Sequence, residues 1–189
     1  LAAASDSGAA ARQAGPLSLP NLITLLRLCA VPAAVWLIIK GRLDLAFWVF
    51  VGAGVSDALD GWIARRWNLR SALGALLDPV ADKALLVSVY VTLAMIGVLP
   101  DWLAILVVFR DAVIVGGVVV FYLLGTPRPI EPILISKANT ALQIGLAALA
   151  LFLAGFGLEA AGLLEALVWA TAATTLASGA AYVWRALAR

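Results

Sequence analysis

The sequence predicts an all-α, polytopic membrane protein with six transmembrane helices and both termini on the cytoplasmic side. Three observations predict it. Of its 189 residues, 64% are hydrophobic and only 13% are Asp, Glu, Lys or Arg, whereas soluble domains carry about 25% charged residues. Mean hydropathy is +1.05. Six apolar segments each approach the roughly 20 residues that cross a bilayer as helix, the form in which a spanning backbone satisfies its own hydrogen bonds.

Residues 1–15 are rich in Ala, Ser and Gly without apolar periodicity, and read as a flexible tail. They do not read as a signal peptide, since no basic stretch precedes a short apolar core. Residues 16–189 read as one six-helix membrane domain, with spans expected at 21–39, 44–66, 75–98, 102–124, 133–156 and 160–185. The breaks between them carry turn chemistry: Lys40-Gly41-Arg42, Pro100-Asp101 and Gly155-Phe156-Gly157. A longer loop is stiffened by Pro127, Pro129 and Pro132. Arg12, Arg65, Arg66, Arg70, Arg128, Lys137, Arg185 and Arg189 fall on one side of this plan. The loops of the other side hold only Lys40 and Arg42, beside Asp44, Asp101, Glu159 and Glu165. The positive-inside rule therefore assigns the tail and the C-terminus to the cytoplasm or its equivalent.

Composition also excludes chemistries. There is no His, so a Ser-His-Asp triad and His-ligated zinc or haem are out. A single cysteine, Cys29, excludes an intramolecular disulfide, a cysteine zinc site and a CxxC pair. A net charge of +2 does not point to nucleic acid as a partner.

Ionisable residues within membrane segments are costly and mark function by default. Here they cluster in VSDALDGWIARRWNLRSALGALLDPVADKALL, residues 55–86. Asp57 and Asp60 are spaced i,i+3 and Asp78 and Asp82 i,i+4, so each pair shares a helix face. A short connection between spans two and three is expected to make them antiparallel neighbours, bringing four carboxylates to one point. Four such acids repel one another, and a hard divalent cation (Mg²⁺, Mn²⁺ or Ca²⁺) resolves the conflict. Two metals suit four carboxylates and can clamp phosphoryl oxygens. Gly61, Ala64 and Gly74 leave room for a ligand, and Arg65 is placed to meet a phosphate. Pro79 leaves open whether helix three starts at Asp78 or runs through it. Two other readings compete: interfacial ion pairs with Arg65, Arg66, Arg70 and Lys83, and a cation-transport pathway. The second would need polar residues across the opposite halves of spans two and three, where only Ser88, Tyr90 and Thr92 offer them. A purely structural scaffold leaves the aspartate spacing unexplained.

These residues carry a specific resemblance. Asp57, Asp60-Gly61, Ala64-Arg65, Gly74, Asp78 and Asp82 match, gap for gap, the signature of the CDP-alcohol phosphotransferase family, and the six-span plan is similar to that family's as well. The resemblance implies a dinuclear Mg²⁺ or Mn²⁺ site held by Asp57, Asp60 and Asp78. Asp82 is implied as general base toward the acceptor hydroxyl, and as a further metal ligand. Gly61, Ala64, Arg65 and Gly74 are implied to contact the cytidine diphosphate moiety. The physics agrees, since an alcohol is a poor nucleophile near neutral pH and needs a positioned base.

The substrates are read further along the chain. Asn21, Thr24 and Arg27 share one face of span one. They read as a cap with a snorkelling Arg or, by resemblance, as a nucleotide-facing set in family members that bind CDP-diacylglycerol. Arg110 and Asp111 lie well inside span four, and Lys137 opens span five. Arg110 and Asp111 form a buried pair, or Arg110 joins Lys137 in holding the phosphate of an anionic acceptor. Thr126-Pro127-Arg128-Pro129, residues 135–143 (ISKANTALQ) and Arg70-Ser71-Ala72-Leu73-Gly74 resemble the eukaryotic-type cardiolipin synthases of this family. That likeness implies phosphatidyl transfer from CDP-diacylglycerol to phosphatidylglycerol. Glycerol 3-phosphate is the alternative acceptor, although members using it typically carry a second Lys where this chain has Asn139. Gly116-Gly117 and an Ala-rich sixth span permit close helix packing, and the resemblance implies a homodimer. The composition is compatible with a bacterial inner membrane, with a mitochondrial inner membrane as the alternative, and the active site on the cytoplasmic side.

Overall fold

The computed structural model describes residues 19–67, 72–123 and 134–187, without the side chains of 19–24, 58, 60–67, 72–80, 118–122 and 186–187. Among the described residues there are six helices and no strand: α1 Leu19–Ile39, α2 Leu43–Trp67, α3 Ala72–Met95, α4 Asp101–Leu123, α5 Leu134–Phe156 and α6 Ala161–Leu187. Every boundary lies within three residues of its expected place. The largest shift is in α3, which runs from Ala72 to Met95 instead of 75 to 98. It therefore passes through Pro79, and Asp78 sits in its second turn instead of at its start.

Glycine caps set three of the helix ends. Gly97 has φ +76, its N–H donates to the Ala94 carbonyl at 2.9 Å, and the Val98 N–H donates to Leu93 at 2.9 Å. This paired return closes a helix around a left-handed residue that only glycine adopts without strain. Gly41 (φ 72) ends α1 in the same way, with the Arg42 N–H on the Leu37 carbonyl at 2.9 Å. Gly157 (φ 63) ends α5. Gly155, expected in that turn, lies inside α5 and serves packing instead. A Cβ there would come within 2.6 Å of the Asp44 backbone nitrogen, so α5 rests directly on the first turn of α2.

Among the described residues α1 packs closely on both α2 and α3, α2 on α5, α5 on α6, and α4 on α3 and α6. Both α2 and α3 thus pack against α1. The interior divides along the helix axes. Toward the 40–42, 96–100 and 157–160 turns it is apolar, built from Ile38, Ala46, Phe50, Val89, Leu93, Leu103, Val107 and Leu151. Toward the other end, Arg27, Arg110, Asp111, Asn139, Gln143, Thr175 and Ser178 are buried.

The outside is the reverse. Trp36, Trp48, Ile105, Phe109, Trp169 and Leu176 are exposed, an apolar exterior over a partly polar interior that suits lipid as the surrounding solvent. By length and composition, α5 and residues 161–185 of α6 are apolar enough to cross a membrane.

Candidate active site

Helix geometry brings Arg27 of α1, Asp57 of α2 and Asp82 of α3 to one point. Arg27 Nη2 lies 2.8 Å from Asp57 Oδ1, and Nη1 lies 2.9 Å from Asp82 Oδ1. The guanidinium is 3% exposed, and its Nε is buried with no hydrogen-bond partner. The two carboxylates are 42% and 45% exposed, because they stand at the mouth of a cleft. One cation thus already gathers two carboxylates from two helices, and their reach of a common partner is what a divalent ion requires.

The cleft has a volume of about 380 Å³ and runs between α2, α3 and α5. Among the described residues, Arg27, Asp57, Asp82 and Lys83 are the charged ones lining it; Phe50, Val55, Leu85, Leu86, Ile144 and Ala148 supply most of the rest. A polar, ionic mouth on an apolar trough suits an amphiphile with a charged head.

Beside it runs a second ionic network. Lys83 Nζ lies 2.5 Å from Asp111 Oδ2, and Arg110 Nη1 lies 2.7 Å from Asp111 Oδ1. Arg110 Nη2 also donates to Ser136 Oγ at 2.5 Å and Ser178 Oγ at 2.6 Å. Its guanidinium carbon stands 5.9 Å from the Tyr182 ring centre. Four helices are joined through this one Arg-Asp pair.

Asp57 and Asp82 are brought together as expected. The side chains of Asp60 and Asp78 lie outside the described residues, as do those of Asn21, Thr24, Ala64 and Arg65, together with Gly61 and Gly74. Arg27 meets the carboxylates, a pairing that the sequence reading did not anticipate. The ion-pair reading gave Lys83 to the four acids, whereas it bonds Asp111 on α4. Arg110 takes the buried-pair arrangement, and neither it nor the exposed Lys137 lines the cleft. Asn139 is fully buried, with its Oδ1 accepting from Thr174 at 2.9 Å and Thr175 at 2.8 Å.

Comparison with known proteins gives these features a context. Residues 17–177 match the family description CDP-alcohol phosphatidyltransferase. The chain is 37% identical over 185 residues to a protein of Homo sapiens named cardiolipin synthase (CMP-forming), covering 88% of this chain and 61% of that one. It is 39% identical over 119 residues to a protein of the same name from Streptomyces coelicolor, covering 60% of this chain and 55% of that one. A third relative, from Oryza sativa subsp. japonica, is named CDP-diacylglycerol–glycerol-3-phosphate 3-phosphatidyltransferase 1, chloroplastic. It is 35% identical over 184 residues, covering 88% of this chain and 56% of the relative. The chain thus spans about three fifths of the human relative's length.

Proposed function

Since the chain belongs to the CDP-alcohol phosphatidyltransferase family, which is membrane-associated and generally dependent on divalent metal, we propose that it transfers a phosphatidyl group from CDP-diacylglycerol to phosphatidylglycerol, giving cardiolipin and CMP. The observation that carries this reading is the cleft: paired carboxylates stand at the mouth of an apolar trough. A lipid acceptor needs such a lateral apolar surface, whereas a small soluble phosphate ester needs a basic, water-facing pocket. Asn139 adds support. It is buried against Thr174 and Thr175, at the position where members using glycerol 3-phosphate typically carry a second Lys.

Asp57, Asp60, Asp78 and Asp82 are the residues that would hold two Mg²⁺ or Mn²⁺ ions, and the described pair fits a divalent cation. Bound there, the ions supply charge neutralisation at the diphosphate. The chain's own residues do the rest. To Asn21, Thr24, Arg27, Gly61, Ala64, Arg65 and Gly74 we assign binding of the nucleotide. Asp82 accepts the proton of the acceptor hydroxyl as its oxygen bonds to the phosphatidyl phosphorus, and the phosphorus–oxygen bond to CMP breaks.

We place six spans in the bilayer with both termini, and the cleft mouth, on the cytoplasmic side of a bacterial inner membrane. Gly116 and Gly117, with no atoms near where a Cβ would stand, leave α4 an open small-residue patch suited to a homodimer.

The second reading keeps the chemistry and substitutes glycerol 3-phosphate, the acceptor in the rice relative's name. Transport is set aside. Beyond the cleft the buried Tyr90 and Thr92 direct their hydroxyls to the carbonyls of Gln143 and Ser88, and Tyr90 is part of the apolar core.

Asp82→Asn tests the base. Turnover should fall by about 10²-fold or more while helix content and thermal unfolding in detergent stay near those of the parent. Undiminished turnover would remove Asp82 from that role.

A further inference from the structure

The sequence pointed to Arg110 and Lys137 for the acceptor's phosphate, yet neither lines the cleft. Among the described residues, the cationic side chain that lines it, besides the Arg27 already bonded to two carboxylates, is Lys83. We propose that Lys83 binds the phosphodiester anion of the lipid acceptor, with Asp111 and Arg110 as the residues that position it. The inference rests on the acceptor reading above and names a residue that reading lacked.

Lys83 follows Asp82 in the chain, so the ammonium and the proposed base leave α3 one residue apart. Its side chain is 38% exposed, whereas Asp111 is 8% exposed. The two cations Lys83 and Arg110 share the single carboxylate of Asp111, one on each oxygen. The trio therefore keeps one net positive charge, and its accessible end is Lys83. Excess charge inside a membrane domain is costly unless a ligand of opposite sign uses it. Asp111 takes one of the three ammonium donors, leaving two for phosphate oxygens.

The tether is rigid. Asp111 is held by Arg110, and Arg110 by Ser136 of α5 and Ser178 of α6. A long, flexible lysine is thus fixed at the cleft, which lowers the entropy lost when an anion binds. The apolar trough beside it offers the acceptor's tails a place, so the ligand class is an anionic phosphodiester lipid. Arg110 acts through Asp111 and needs no contact with lipid.

Lys83→Met removes the ammonium and leaves Asp111 neutralised by Arg110, so the fold keeps a balanced pair. Two arms are read on the full chain in detergent. In steady state, KM for phosphatidylglycerol should rise at least about tenfold, with kcat and the KM for CDP-diacylglycerol little changed, and Lys83→Arg should restore most of the loss. In the second arm, dihexanoylphosphatidylglycerol is titrated onto metal-free protein and followed by saturation-transfer NMR, with dihexanoylphosphatidylcholine as the zwitterionic comparison. Binding of the anionic lipid should weaken by a similar factor in Lys83→Met, while the zwitterionic lipid is unaffected.

An unchanged KM and unchanged anionic-lipid binding would overturn the proposal, as would a fall in kcat alone or equal losses for both substrates. The second arm needs no turnover. If the parent protein formed no cardiolipin, the reaction assigned above would fall, and lipid binding would still decide the role of Lys83.

Discussion

Replacing Arg27 with Gln tests how the carboxylate pair is held. The guanidinium bonds Asp57 at 2.8 Å and Asp82 at 2.9 Å, so its positive charge sits against the carboxylates that would hold a divalent cation. It is therefore both a clamp on α2 and α3 and a competitor of the metal. Two unit charges about 4 Å apart interact by about 1 kcal/mol in water and about 4 kcal/mol at an effective dielectric of 20. The acids are 42% and 45% exposed, so the lower part of that range applies. A difference of about 1–2 kcal/mol is about 5–30-fold in an equilibrium constant. Arg27→Gln should therefore tighten Mn²⁺ binding about 5–30-fold, while metal-free protein unfolds at a lower temperature and regains more than the parent when Mn²⁺ is added. The assay is an electron paramagnetic resonance titration of free Mn²⁺ with substrate-free protein in detergent. Arg27→Lys, which keeps the charge, should stay near the parent. Equal or weaker Mn²⁺ binding by Arg27→Gln would refute the competition argument.

Other outcomes follow from packing. Gly155→Ala places a methyl 2.6 Å from the Asp44 nitrogen and 2.7 Å from the Leu43 carbonyl carbon, both backbone. It should therefore lower stability by about 1–3 kcal/mol, read by thermal unfolding in detergent. Gly116→Ala, whose new Cβ meets nothing within 4 Å, should change monomer stability by less than about 0.5 kcal/mol. Tyr90→Phe removes the 3.0 Å hydrogen bond to the Gln143 carbonyl and should cost about 0.5–1.5 kcal/mol, measured by the same unfolding.

Much of this fold is legible along the chain because the bilayer simplifies the problem. Apolar length sets each helix, and polar or glycine-bearing breaks set the turns. The α3 end was displaced because Ile96, Val98 and Leu99 continue the apolar run through a cap at Gly97. Only the backbone angle at Gly97 marks the stop. Gly155 misled in the opposite sense, since a glycine that allows two backbones to touch looks in sequence like one that turns a chain.

At the site, the acid spacing was legible because helical periodicity places i,i+3 and i,i+4 residues on one face. The counter-ions were not. Arg27 is 55 residues from Asp82 and Lys83 is 28 residues from Asp111, and one sequence carries no signal of which distant charges meet. The available hint was energetic: a charge in a span needs a partner, and Lys83 and Asp111 are both such charges. The same limit applies to Asn139, whose burial against Thr174 and Thr175 belongs to α5–α6 packing.

The most direct test of the account is to identify the lipid product. Purified protein in detergent would be given CDP-diacylglycerol and Mg²⁺, with phosphatidylglycerol or glycerol 3-phosphate offered separately and products weighed by mass spectrometry. The account predicts cardiolipin, with CMP in equal amount, from phosphatidylglycerol alone. Phosphatidylglycerophosphate from glycerol 3-phosphate, with no cardiolipin, would contradict it.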